Sequence, residues 1–281
     1  MGADGAEPIG RGVTRITPRA GWPVLDVREL WDYRELLYFL VWRDIKVRYK
    51  QTVIGAAWAI IQPVFAMVIF TIFFGMLAKL PSGNLPYPLF YYSGLLPWLY
   101  FSGAFQHATN AIIDHQRLIT KVYFPRLLLP LAAVVCGLVD FAVAFVILVA
   151  MMAFYGIAPA AGVLLLPIFL LLAVATALGA GLWLSVLNAT YRDVRYVVPF
   201  LIQLWLFASP VVYPSSLVPE AWRWLYGLNP MAGVIEGFRW ALLGQGQPPA
   251  LLGVSAAVVA LVLLGGVIYF SRAEETIADI V

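Results

Sequence analysis

The residue most suggestive of chemistry is an acid where none is expected. Asp140 is the only charge in the apolar run from Leu127 to Phe154. A carboxylate in lipid is costly, so it marks a proton or cation site, an acid turned inward toward a polar partner, or an acid near the interface in a shifted span. Proton-coupled carriers usually hold several such groups, and here there is one. His107 and His115 are the only histidines, and no Cys/His cluster has ligand spacing, so no metal is expected. No G-x-S-x-G elbow and no close carboxylate pair within a span are present, which leaves an enzyme mechanism little to stand on. Without a G-x-x-x-x-G-K-[ST] loop the chain has no phosphate cradle of its own, and any nucleotide energy must come from a partner. Cys136 is a single cysteine in an apolar run, so no intrachain disulfide forms.

The elements that hold these residues follow from composition. Of 281 residues, 62% are hydrophobic and 12% charged, against roughly 25% charged in a soluble domain. This is an all-α integral membrane pattern. The basic excess lies in short loops beside apolar runs, which orients a membrane protein and does not make a nucleic-acid face. The first 53 residues hold 9 of the 18 Lys/Arg and lack a short apolar core with a cleavage site, so no cleaved signal peptide is expected. Residues 1–25 read as a flexible tail and 26–52 as an amphipathic interface helix. Six membrane helices are predicted at about 53–78, 89–109, 127–154, 163–187, 197–213 and 250–270, since about 20 residues cross the hydrocarbon core. Between the last two, 215–244 reads as two short amphipathic or re-entrant helices broken at Asn229-Pro230. Placing both termini inside puts fifteen of the 18 Lys/Arg on the inner side, so an N-in, C-in orientation is favoured.

Three segments are more specific than composition. The first runs from Arg43-Asp44-Ile45-Lys46-Val47-Arg48-Tyr49-Lys50 through Gly55 and Trp58 to Gln62-Pro63. The second joins Leu96-Pro97-Trp98 to Leu118-Ile119-Thr120-Lys121-Val122-Tyr123-Phe124-Pro125-Arg126 and then Asp140-Phe141. The third joins Asn188-Ala189-Thr190-Tyr191-Arg192-Asp193-Val194-Arg195 to Ser209-Pro210, Leu228-Asn229-Pro230-Met231 and Gly237-Phe238-Arg239. In this order and spacing they resemble the transmembrane permease subunit of type-2 ABC exporters that move polysaccharides, the O-antigen, capsule and teichoic-acid group.

The resemblance implies a homodimer of six-span subunits paired with two cytosolic ATPase subunits. ATP and Mg²⁺ would sit in that partner, with no cofactor in this chain, and hydrolysis would drive a lipid-linked glycan outward across a bacterial inner membrane. It makes 111–123 a coupling helix on the ATPase, with Asp114, Arg117 and Lys121 on one face and Arg192, Asp193 and Arg195 as a lesser contact; charge alone would read both as positive-inside loops. It makes 215–244 an outer gate, with Trp222, Trp224 and Tyr226 at the rim and a Glu236–Arg239 pair spaced i, i+3; an interfacial aromatic belt is the plainer reading. Aromatic faces and amides suit a sugar path. Candidates are Trp58, Gln62, Phe65 and Phe73 in span one, Trp98 and Phe105 in span two, and Tyr196, Phe200, Gln203 and Phe207 in span five, although such stripes also pack helices or face lipid. Gln62 and Gln203 favour spans one and five, because an amide in hydrocarbon should face protein or water. Arg43, Lys46, Arg48 and Lys50 would attract the lipid pyrophosphate, or serve as a positive-inside anchor. A type-2 exporter of a drug or small lipid, an ion-coupled carrier using Asp140, and a membrane-embedded enzyme are the alternatives.

Overall fold

A computed structural model describes residues 27–50, 55–83, 85–191, 193–244 and 252–280. The expected tail, 1–25, and Arg192 lie outside the described residues. Those described are all-helical, with no strand. Val27–Asp32 (α1) and Arg34–Lys50 (α2) form the arm. Gly55–Phe70 (α3) continues as a π-helical stretch, Thr71–Leu77. Tyr87–Asp114 (α4) is followed by the single turn Gln116–Ile119 (α5) and by Leu128–Phe154 (α6). A 3-10 turn, Ala161–Leu165, leads into Leu166–Thr190 (α7), and Val194–Phe207 is α8. Glu220–Gly227 (α9) and Pro230–Leu243 (α10) precede the last helix, Leu252–Ile280 (α11).

Among the described residues, four stretches are long and apolar enough to cross a membrane: Ile60–Leu77, Leu128–Phe154, Ala161–Thr190 and Leu252–Glu274. α4 has the length, 28 residues or about 42 Å, but carries many tyrosines, tryptophan and hydroxyls. Its position explains that composition. α7, α6, α10, α3 and α8 surround it, and most of its residues are buried. It therefore solves a protein interior and not a lipid surface. α8 departs from the expected span 197–213: it ends at Phe207 after 14 residues, about 21 Å against a hydrocarbon core of about 30 Å. The chain then turns, burying Val211 and Val212. Pro210 cannot extend the helical ladder, and the Asn229 side chain takes the Ala208 carbonyl instead, at 2.9 Å. The last helix runs past the expected end at 270 to Ile280.

Lipid tails are as apolar as leucine, so helices associate through close packing and interhelical hydrogen bonds. Both devices are present. Tyr92 and Tyr100 of α4 donate to the Ala144 and Val134 carbonyls of α6, at 3.1 and 3.2 Å. α7 meets α11 backbone to backbone at Gly179, where an added Cβ would lie 2.7 Å from the Leu263 Cα. Beside it, the Trp183 indole N–H donates to the Val262 carbonyl at 3.2 Å and its ring stacks on Tyr269. A second cluster closes the other end, where Leu40 of the arm packs with Ile112, Phe124, Leu128, Leu182 and Phe270.

Gly179→Leu should force α7 and α11 apart and lower the thermal unfolding temperature in detergent by several degrees, a cost of about 1–3 kcal/mol. Gly253→Ala, where nothing lies within 4 Å, should leave it unchanged or slightly raised, because alanine is the better helix former.

Candidate functional site

A cavity of about 410 Å³ opens between α2, α3, α4, α6 and α8. Its wall is aromatic and amide in character: Trp58 and Gln62 of α3, Tyr100, Ser102, Gln106 and His107 of α4, and Phe141 of α6. The Tyr100 ring is held by its hydrogen bond to α6 and an edge contact with Phe141, centroids 5.8 Å apart. Gly103 leaves room, since a side chain there would meet nothing within 4 Å. The charged residues in the wall are Arg48 and Asp140.

Asp140 is satisfied from the arm. One carboxylate oxygen accepts from the Arg48 guanidinium and the other from the Tyr49 hydroxyl. Burial, with the hydrogen bond to Asp140 adding to it, pushes the Tyr49 phenol far above its ordinary value, so it stays a donor. Asp140 lies about 18 Å along α6 from its start. Arg48 reaches it because α2 runs beside α6: Leu40 packs near Leu128, Leu129 and Ala132, and two turns later the arm meets Asp140. The basic cluster expected at the foot of span one is thereby divided. Arg48 faces the cavity, Lys46 and Lys50 are exposed, and Arg43 binds Asp44 at 2.8 Å and the His115 ring. His115 Nδ1 faces the Ala111 carbonyl at 2.8 Å, so a proton on Nδ1 leaves Nε2 to accept from Arg43.

The aromatic candidates separate into three groups. Trp58 and Gln62 line the cavity. Phe65, Phe73, Tyr196, Phe200, Gln203 and Phe207 are exposed on the outer faces of α3, its π-helical extension and α8. Trp98 and Phe105 are 3% and 2% exposed and pack with Phe101 and Trp205 in an aromatic core. Within the protomer those two are packing residues, because the central helix turns them toward α8.

At the tip, Asp114, Arg117 and Lys121 are exposed, but no continuous helix covers 111–123. Asp114 ends α4, Arg117 sits on the one-turn α5, and Lys121 follows it. The break falls at His115, whose ring is engaged by Arg43. The tip is anchored behind: Phe124 is buried in the lower core, the Arg126 amide donates to a Glu274 carboxylate oxygen at 2.8 Å, and the Arg126 guanidinium reaches the Glu274 carbonyl. Asp193 and Arg195 are exposed nearby in sequence to Asn188, whose amide donates to the Thr109 carbonyl at 3.1 Å and to Asn110 at 3.0 Å, tying the ends of α4 and α7.

At the opposite end Trp222 and Trp224 are exposed and Tyr226 is half-buried. The expected Glu236–Arg239 ion pair is not formed. Arg239, 6% exposed, points into the fold: its guanidinium lies 3.9 Å from the Phe90 ring centroid and donates to the Val211 carbonyl at 3.2 Å and the Ser93 hydroxyl at 3.4 Å. Gly94 makes the space, since any Cβ there would strike the guanidinium. Glu236 is turned toward Ser215, and the ion pair at this end is Glu220–Arg223, at 3.4 Å on α9.

Sequence reasoning missed Tyr49, Gln106 and the two asparagine ties. A usable signal for the first was an Arg-Tyr pair near the end of the amphipathic arm in a chain with a single mid-span acid. Asn229 ties the end opposite the tip most densely: its Oδ1 accepts from the Trp205 indole at 2.8 Å and the Met231 amide at 3.0 Å, capping α10, while Nδ2 donates to Ala208 and Ser209 at 2.9 Å each. Asn229→Ala should cost about 1–3 kcal/mol and release the Trp205 indole, read as a lower unfolding temperature and a shifted tryptophan emission.

The ABC-2 type transporter family matches residues 35–243. The O-antigen export system permease protein RfbA of Myxococcus xanthus is 34% identical over 254 residues, covering 89% of this chain and 96% of that protein. A protein of the same name from Klebsiella pneumoniae is 30% identical over 206 residues, 73% of this chain and 79% of its own. The polysialic acid transport protein KpsM of Escherichia coli is 25% identical over 240 residues, covering 83% and 91%. With four helical stretches able to cross a membrane, this chain belongs to the ABC-2 type transporter family and is a multi-pass inner-membrane protein.

Proposed function

We propose that the chain is the membrane subunit of an ATP-driven exporter that moves a lipid-linked polysaccharide of O-antigen type outward, as a homodimer carrying two copies of a cytosolic ATPase subunit. In this reading α3, α4, α6, α7, α8 and α11 are the six spans, with both termini inside and the α9–α10 segment outside. The observation that carries it is the cavity wall of rings and amides. Aromatic faces stack on sugars without demanding one hydroxyl pattern, and amides bond transiently, which suits a polymer that must slide. The names of the relatives support the substrate class.

A dimer-interface path is supported by the exposed faces of α3 and α8. Gln62 and Gln203 are both exposed on the protomer, and a bare amide in hydrocarbon costs about 4–8 kcal/mol. A second copy, or water in a shared path, removes that cost. The tip bearing Asp114, Arg117, Lys121, Val122 and Tyr123 offers the ATPase an exposed polar and aromatic surface. Because Phe124 and Arg126 anchor it to the lower core and α11, a push there reaches α4, α6 and α11 together. Asp140 bound by Arg48 and Tyr49 supports an internal counter-charge in place of a proton site.

The test is transport in proteoliposomes holding the chain with its ATPase. ATP-dependent loss of lipid-linked glycan from the ATPase-facing leaflet is expected, and movement without ATP or partner would refute the reading. Gly103→Phe, whose Cβ has open space and whose ring would occupy the cavity, should cut export at least about tenfold, a barrier change of roughly 1.4 kcal/mol, while unfolding temperature holds.

A further inference from the structure

We propose that Arg48 and Asp140 form an ionic latch on the cavity: the phosphate of an arriving lipid-linked substrate takes the Arg48 guanidinium from the Asp140 carboxylate, and opening this pair sets the threshold for substrate binding. The latch deepens the export reading above and rests on it.

Four observations converge. Both side chains stand in the cavity wall and are about a third exposed, 31% and 35%, so a ligand in the cavity reaches them. A guanidinium fork fits phosphate as it fits carboxylate, so the exchange conserves the type of bond. Paired, the two residues neutralise each other in the wall; in the exchange the guanidinium turns to the phosphate while the carboxylate stays with the Tyr49 hydroxyl, and its repulsion of the incoming anion adds to the threshold. The displaced carboxylate is not orphaned, because the Tyr49 hydroxyl still donates to its other oxygen, which avoids the penalty of an unsatisfied buried acceptor.

The pair also joins two elements. Arg48 and Tyr49 are in the last turn of α2, and Asp140 is on α6. Moving Arg48 from Asp140 to a phosphate weakens the tie between the end of the arm and α6, which the Tyr49 hydroxyl alone then keeps at Asp140. Binding is thereby linked to a shift of the helix whose other contacts, Leu40 and Arg43, reach the lower core and His115 at the tip.

The experiment measures binding of a fluorescent polyprenyl diphosphate to the full chain in complex with its ATPase, by anisotropy, with neutral polyprenol as control. A latch closed about nine-tenths of the time weakens apparent affinity about tenfold. Asp140→Asn should therefore bind about tenfold more tightly than the wild type. Arg48→Gln should bind more weakly than the wild type, the Arg48→Gln/Asp140→Asn double variant should lose the gain of Asp140→Asn while recovering part of the loss of Arg48→Gln, and polyprenol should be indifferent to all of them. If the amide variant does not fold, Asp140→Ser, which keeps a partner for Tyr49, carries the same expectation. Unchanged affinity in folded Asp140 variants, with the wild type binding, would overturn the latch alone. Displacement of the probe by an equal concentration of inorganic pyrophosphate would overturn the assignment to a lipid-borne phosphate. Absence of binding in wild type and all variants would overturn the export reading and the latch with it.

Discussion

In a bilayer no hydrophobic force draws one apolar helix to another, and every polar group must be answered by protein. The rest of the structure depends on how α4 meets that constraint. It carries Tyr87, Tyr91, Tyr92, Ser93, Trp98, Tyr100 and Thr109 buried through the middle of the molecule, and its neighbours cover most of it. Its tyrosines do not merely survive there. Tyr87 donates to the Val212 carbonyl, Tyr92 and Tyr100 to carbonyls of α6, so the central helix fastens the outer turn and α6 at three levels. Where α4 faces Gly103, Gln106 and His107 toward α3 and α6, the packing stops and the cavity begins.

Three charged side chains tie separate elements together. Arg239 ties α10 to α4 and to the turn after α8; Arg48 ties the arm to α6; Arg126 ties the segment behind the tip to α11. Each has a partner from a different element. For a transport subunit this arrangement leaves two surfaces uncommitted: the exposed tip and the faces of α3 and α8 with their two amides. The first is suited to an ATPase, the second to another copy.

Much of this was legible in the sequence because membrane helices are encoded by long uncharged runs. The starts of α3, α4, α6, α7 and α8 fall within a few residues of expectation, and Asn229-Pro230 marked a break that the structure makes into a cap. What was not legible depends on which side of a helix faces inward. Trp98 and Phe105 recur at a heptad, but period alone does not tell a path from a core, and they pack against Trp205. Glu236 and Arg239 have ion-pair spacing, yet Gly94 on another helix opens a pocket that draws the guanidinium inward. Asp140 looked unpaired because its partners, Arg48 and Tyr49, lie some ninety residues earlier on an arm expected to rest on the membrane surface. The cap at the end of α8 was hidden for the same reason, since the Ala208 carbonyl is taken by the side chain of the distant Asn229.

The central claim is that the exposed amide-bearing faces of α3 and α8 border a watery path and not lipid. It is tested most directly by replacing Cys136 with alanine, introducing single cysteines at Gln62, Gln203 and Leu261, and measuring their reaction with a membrane-impermeant maleimide in the assembled complex. Leu261, exposed on α11, reports on a lipid-facing position. The account predicts that the cysteines at 62 and 203 react readily and are protected by substrate, while that at 261 does not react. If 62 and 203 are as unreactive as 261, these faces lie against lipid and the path is elsewhere.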